Sequence, residues 1–137
     1  MIRYPKEIAG ELQTGLLTQN LDIAPTLLDV AGISIPDDMQ GKSLRHIWQD
    51  TDTSWRDAIY YHYYEKGFGA SPHYGLRTDR YKLIHFYDVV DSWEFYDLET
   101  DPGEMKNLYN DRANEHLIRE LSHKLHELQE IYMDTIK

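Results

Sequence analysis

The hydrophobic and polar positions along this chain change period twice, and each change predicts an element. Between residues 19 and 30, Leu21, Ile23, Ala24, Leu27, Leu28 and Ala31 form a broad apolar stripe at helical spacing. Asp22 is placed to cap this helix, Pro25 lies in its first turn, where its missing N–H is harmless, and Gly32 is a natural stop. Residues 33–41 read as a loop, with Ser43 capping a short helix through Trp48. The period then falls to two. Ala58–Tyr64 (AIYYHYY) is the richest run of β-formers, and Tyr74–Thr78, Tyr81–Tyr87 and Trp93–Leu98 read as three further strands. Thr78-Asp79-Arg80 is a hairpin break, 88–92 a looser connection, and Asp101-Pro102-Gly103 ends the last strand. Leu117, Leu121, Leu125, Leu128 and Tyr132, widened by Ile118 and Ile131, predict a strongly amphipathic helix over about Asn114–Met133, with Asn110 or Asp111 at its cap.

The fold class that follows is α+β: a four-stranded antiparallel sheet backed by a long C-terminal helix. A sheet with one wet face alternates apolar and polar residues, whereas these strands carry apolar bulk on both faces (Leu83 against Ile84 and Phe86 in one strand, Trp93 and Phe95 against Tyr96 in the next). Both faces therefore need cover. The long helix covers one, and the simplest cover for the second is a partner or a further domain. Ile2-Arg3-Tyr4-Pro5 reads as the end of a strand belonging to another sheet. The polar run 49–54 marks a boundary, giving an N-terminal part, 1–50, and a C-terminal part, 51–137.

Composition narrows the function classes. The net charge of −10 argues against nucleic acid, which needs cations set against phosphates. It also means that an anionic ligand would need local cations or dipoles. No apolar run approaches the length of a transmembrane helix, and residues 1–10 lack the pattern of a secretory leader. The chain contains no cysteine, so it offers neither disulfides nor thiolate metal ligands.

Gly75-Leu-Arg-Thr-x-Arg-Tyr-Lys-Leu-Ile84, followed by Glu94-x-Tyr-Asp-Leu-Glu-x-Asp-Pro-x-Glu-x-x-Asn-Leu108, resembles the C-terminal subdomain of type I, formylglycine-dependent sulfatases. The likeness is nearest to members acting on glycosaminoglycans and N-acetylglucosamine 6-sulfate. Asp22-Ile-Ala-Pro-Thr-Leu-Leu28 and Gln40-Gly-Lys-Ser-Leu44 extend it over nearly the whole chain. The resemblance implies that 1–50 are the tail of an alkaline-phosphatase-like α/β catalytic domain, a strand–helix remnant, and that 51–137 dock on that domain and help wall its pocket. It further implies calcium and formylglycine in the parent enzyme, a sulfated glycan substrate, and a periplasmic or secreted location.

The residues present do not supply the reaction itself. Formylglycine arises within Cys/Ser-x-Pro-x-Arg; Ser34-Ile35-Pro36-Asp37-Asp38 comes nearest, but Asp38 stands where Arg belongs and the stretch follows a helix instead of opening one. Asp37-Asp38 is an isolated acidic pair, and the family's calcium-binding pairs have no counterpart. Gly41-Lys42-Ser43 lacks the glycine lead of a phosphate loop. The acidic run from Asp88 to Glu104 lacks EF-hand spacing. His116, His123 and His126 fall on the polar face of the last helix, without a His-Glu-x-x-His frame, while His62 and His85 sit within strands as packed or paired residues. The chain alone is thus expected to be inactive, with no catalytic residue, metal site or cofactor of its own.

For substrate binding, the candidates are His73, Tyr74 and Glu65. Lys66–Pro72 is a glycine-rich loop, Pro72 restricts the backbone ahead of His73, and a strand anchors it behind; this is a common way to present a side chain to a ligand. The resemblance places a His-Tyr-Gly near the pocket. The structural alternative is a histidine bonded to nearby backbone. A different functional class, a self-standing module whose aromatic sheet face binds a protein or a glycan, also fits these residues. Without a catalytic domain, the uncovered surface predicts self-association, or few contacts between 1–32 and the rest.

Overall fold

The computed structural model describes residues 2–49, 54–67, 69–88 and 90–135. The fold divides into two compact units, Met1–Arg56 and Asp57–Lys137. The boundary expected within 49–54 falls largely on residues 50–53, outside the described residues.

The first unit is built around one carboxylate. The helix foreseen from residue 19 begins as a 3-10 turn, Asn20–Asp22, and becomes α-helical over Ile23–Val30 (α1). Asp22 makes no capping bond to α1. Its side chain is fully buried, pairs with both terminal nitrogens of Arg56 at 2.5 and 2.6 Å, and accepts the N–H groups of Gln19 and Lys42. Burial opposes its ionisation, but these donors outweigh it and hold the carboxyl below its ordinary range. The Gln40–Leu44 motif serves the same joint. At Gly41 a Cβ would lie 2.0 Å from the Leu21 carbonyl oxygen, so only glycine fits. Beyond it, Ser43 donates to Asp29 and Leu44 N–H to Thr26 Oγ1. The short helix follows at Arg45–Trp48 (α2), with Ser43 Oγ accepting from Arg45 N–H.

Glu7 anchors the start of the chain by accepting from Arg45, Trp48 and Gln49. Residues 2–32 are therefore tied firmly to residues 42–56, so of the two expected alternatives, self-association or few contacts, the second does not hold within this unit. Ile2–Pro5, read as the end of a strand of another sheet, lies in no strand of the described residues; the Tyr4 carbonyl accepts from Glu7 and Ile8 in a turn. The apolar stripe of the 3-10 turn and α1 faces outward: Leu21, Ile23 and Leu27 are 45%, 54% and 65% exposed, while Pro25 and Thr26 point inward.

The second unit is the expected α+β layer. Ala58–Tyr63 (β1), His73–Thr78 (β2), Tyr81–Phe86 (β3) and Ser92–Asp97 (β4) form an antiparallel meander in the order β1-β2-β3-β4. Asp111 caps a 3-10 turn at Arg112–Asn114 through Ala113 N–H, and Glu115–Ile131 (α3) follows. The register aligns Tyr60, Leu76, Leu83 and Phe95 across one face, where Ile118, Leu121 and Leu125 of α3 close the core. Burying this apolar set is the main stabilising term. Ile131, assigned to the apolar stripe, is exposed instead, and Gln129 is buried.

The opposite face aligns Tyr61, Gly75, Ile84 and Glu94. A Cβ on Gly75 would stand 2.5 Å from the Leu83 carbonyl oxygen and 2.7 Å from the Tyr61 hydroxyl, which explains the glycine that opens the Gly-Leu-Arg-Thr motif. Ile84 and Tyr96 are buried on this side, and Lys82 crosses it to reach Glu104 at 2.6 Å.

Both longer helices end in the same motif. In α1, Gly32 N–H bonds to the Asp29 carbonyl and Ile33 N–H to that of Leu28, with Gly32 at φ +71°. In α3, Met133 N–H bonds to Glu130 and Asp134 N–H to Gln129, with Met133 at φ +54°. This is the Schellman arrangement, and a methionine in its left-handed position is strained where glycine is not.

Candidate functional site

A meander gathers its loops at two ends. At one lie the β2–β3 turn and the chain leaving β4; at the other lie the β1–β2 loop, the β3–β4 loop and the residues following α3. All three substrate-binding candidates belong to the second end, but the structure does not bring them together.

His73 opens β2, a central strand. Its Nδ1 lies 2.8 Å from the Ser71 carbonyl oxygen. A carbonyl only accepts, so Nδ1 carries the hydrogen, and in the neutral ring Nε2 is left as an acceptor. No described residue engages Nε2. The ring is half-buried, stacked on Tyr63 at 5.6 Å and resting against Phe86 at 5.1 Å. The backbone bond of the structural alternative is therefore present, and it orients the ring while leaving one nitrogen for a ligand.

Tyr74 points the other way, as successive strand residues must. It is only 8% exposed, sits in the core beneath α3, and its hydroxyl meets His85 Nδ1 at 2.9 Å. Tyr74 and His73 thus cannot form one wall. Glu65 is exposed in the loop after β1. The neighbouring Lys66 pairs with Asp88 across to the β3–β4 loop; Phe68 and Val89 of these loops lie outside the described residues.

Behind His73 lies a cluster that the sequence did not reveal. Asp134, just past α3, accepts from His62 Nδ1, from the Tyr60 hydroxyl at 2.5 Å and from the Tyr64 hydroxyl at 3.3 Å. His62 Nε2 meets the Tyr87 hydroxyl at 2.7 Å. The His62 and Asp134 side chains are 3% and 6% exposed. A second chain runs parallel: Asp91, His85 Nε2 at 2.8 Å, then Tyr74, with Trp93 stacked on His85 at 4.3 Å. Burial first, and then the nearby carboxylates, push the Tyr60, Tyr64 and Tyr87 hydroxyls above their ordinary range, so these phenols stay neutral donors. His62 and Asp134 are 72 residues apart, and no local spacing links them. The alternation in AIYYHYY, which sets Tyr60 and His62 on the core face, was the only available signal.

The remaining candidates behave as packed or solvated groups. His116 and His123 pair with Glu120 and Glu127 one turn on, in solvent. Among the described residues no three His, Asp or Glu side chains converge to hold a metal ion. Together with the missing Cys/Ser-x-Pro-x-Arg sequence, the donor set of the described residues fits neither calcium nor formylglycine.

Residues 1–131 match the family model described as N-sulphoglucosamine sulphohydrolase, C-terminal. The chain is 42% identical over 140 residues to an N-acetylglucosamine-6-O-sulfatase of Bacteroides thetaiotaomicron, covering 98% of this chain and 25% of that protein. It is 39% identical over 89 residues to an arylsulfatase of Clostridium perfringens, covering 65% and 18%. Among solved structures, an enzyme in complex with its substrate D-glucosamine-2-N,6-O-disulfate superposes with a TM-score of 0.91 at 42% identity, over 97% of this chain and 28% of that one. The chain spans about a quarter of the length of these relatives.

Proposed function

The chain belongs to the N-sulphoglucosamine sulphohydrolase C-terminal family, and from that premise we propose that it acts as the C-terminal part of a sulfuric-ester hydrolase for sulfated amino sugars. It supports the catalytic domain and contributes His73 to the wall of the substrate pocket. The observation that carries this reading is the match over residues 1–131 to a C-terminal family, in a chain with neither nucleophile sequence nor metal-ligand cluster among its described residues. The nucleophile and metal then belong to the remaining three quarters of the enzyme. Formylglycine, in its hydrated form, and calcium, which the family implies for that part, would supply the nucleophile and the charge neutralisation there. This chain's own task is binding and orientation. His73 Nε2 can accept from a sugar hydroxyl or, once protonated, attract a sulfate oxygen.

The exposed Leu21, just ahead of α1, and Ile23 and Leu27 within it support the same reading. An apolar stripe turned outward on a fixed scaffold is a surface that another part of the enzyme covers. We infer also that the enzyme works in the periplasm or outside the cell, where sulfated glycans are met, and that the chain isolated from its catalytic domain self-associates through this stripe.

The test is an assay of the purified chain against the full-length enzyme on a chromogenic aryl sulfate and on 6-O-sulfated N-acetylglucosamine. The expected result is turnover by the full-length enzyme alone. Turnover by the isolated, contaminant-free chain would overturn the reading, and so would its absence from a full-length protein carrying intact Cys/Ser-x-Pro-x-Arg.

A further inference from the structure

We propose that Asp134 is a positioning residue for His73, acting through His62 and Tyr87. The inference rests on the reading of His73 as a substrate contact, and its geometry is continuous. A carboxylate only accepts, so Asp134 fixes the hydrogen of His62 on Nδ1 and turns Nε2 toward the Tyr87 hydroxyl, 2.7 Å away. Tyr87 is thereby held by its side chain. Its backbone N–H donates to the Pro72 carbonyl at 3.1 Å, which fixes the residue immediately before His73. Phe86, immediately before Tyr87, carries the ring against which the His73 imidazole rests. Asp134 thus bears on both supports of His73, the peptide ahead of it and the ring beside it.

The far end of the chain is equally constrained. Asp134 follows Met133, which is held at φ +54°, and its own N–H is bonded to Gln129. A strained left-handed methionine persists only where its surroundings over-determine it, and the buried Asp134 cluster supplies that constraint. With His62 and Asp134 almost wholly withdrawn from solvent, water cannot substitute when either group is altered, so the imidazole must turn and Tyr87 must move. Paired carboxylates that orient a histidine are a usual means of setting a ring that then orients another group.

The test uses the full-length enzyme with isotope-labelled histidine, in Asp134→Asn, in Tyr87→Phe, and in Arg80→Ala as a control at the opposite end of the sheet. The His73 ring resonances should move in the first two and stay in the control. KM for 6-O-sulfated N-acetylglucosamine should rise roughly fivefold with kcat unchanged, within the coupling seen between residues of one network. The Asp134→Asn/His73→Asn double variant should be no worse than His73→Asn alone. Tyr87→Phe removes one hydroxyl and keeps the ring, so it reads the relay even if Asp134→Asn fails to fold. His73 resonances that stay fixed in Tyr87→Phe would overturn the proposal, whatever the kinetics show. If the resonances move while His73→Asn leaves KM unchanged, the positioning stands and the reading of His73 as a substrate contact falls.

Discussion

The two ends of the sheet in the second unit are built from opposite kinds of information. At the turn end almost every contact joins residues of the recognisable motifs. Arg80 grips Asp97 through two nitrogens at 3.0 and 2.8 Å, Lys82 reaches Glu104, and Asp101 accepts Lys106 N–H. Asn107 does the most. It accepts from Phe95 and Tyr109 N–H, donates to the Trp93 carbonyl, and so closes the outer edge of β4 with a side chain. An open edge invites another strand, and this one is occupied. The loop end has no motif of comparable density. Its most buried polar cluster joins Asp134 to tyrosines and a histidine 70 or more residues earlier. The motifs by which this family is identified are thus largely devices for closing a sheet, while the substrate-facing side of the proposal rests on long-range packing. A strong sequence signature need not mark the site.

The sharpest way to break this comparison is Asp134→Ala. It leaves His62 and the Tyr60 hydroxyl buried without their acceptor, and we expect a loss of about 3 kcal/mol, as when one member of a buried pair is removed. A denaturant midpoint within experimental error of wild type would show the cluster to be incidental. Asn107→Ala comes next, at about 2 kcal/mol for three bonds lost and one strand N–H left unpaired. Hydrogen exchange should locate the damage at β4 and leave the loop end protected. Protection lost at both ends would mean that they are one cooperative unit. Replacing Met133 by glycine should stabilise the chain by about 1 kcal/mol, because the left-handed strain is relieved and the exposed methionine buries little. A lower melting temperature would show that the Met133 side chain holds Asp134 in place.

The smallest effect is also the most diagnostic, because the two ends respond to opposite limits of pH. Arg80 holds the Asp97 carboxyl below its ordinary range. Its contribution is present above the unfolded carboxylate range and is lost as pH falls through the lower folded value, that is, below about pH 4. The Tyr60 hydroxyl is raised, first by burial and then by Asp134. Its contribution is present below the unfolded phenol value and disappears as pH climbs beyond about 10. Asp97→Asn should flatten the acid limb of a stability–pH curve and Tyr60→Phe the alkaline limb. Flattening of the wrong limb would contradict the assignment.

How far the sequence could be read follows from the same contrast. The four strands and the last helix were legible within one or two residues, because period and turn chemistry are local. The donors to Asp22 and the capping of β4 by Asn107 were not, because each depends on which distant groups come within reach. The outward direction of the α1 stripe is not legible for a similar reason: periodicity tells that a face is apolar and not what covers it. Among the site candidates, His73 keeps a nitrogen for a ligand, Glu65 stays in solvent, and Tyr74 belongs to the core, since neighbouring strand positions cannot share a face.

The central claim is that His73 Nε2 meets the substrate while Nδ1 only holds the ring. His73→Asn in the full-length enzyme separates the two, because the asparagine amide can still donate to the Ser71 carbonyl but has nothing at the position of Nε2. The account predicts a raised KM for 6-O-sulfated N-acetylglucosamine with an unchanged melting temperature. Unchanged kinetics, or a large loss of thermal stability, would contradict it and return His73 to a purely structural role.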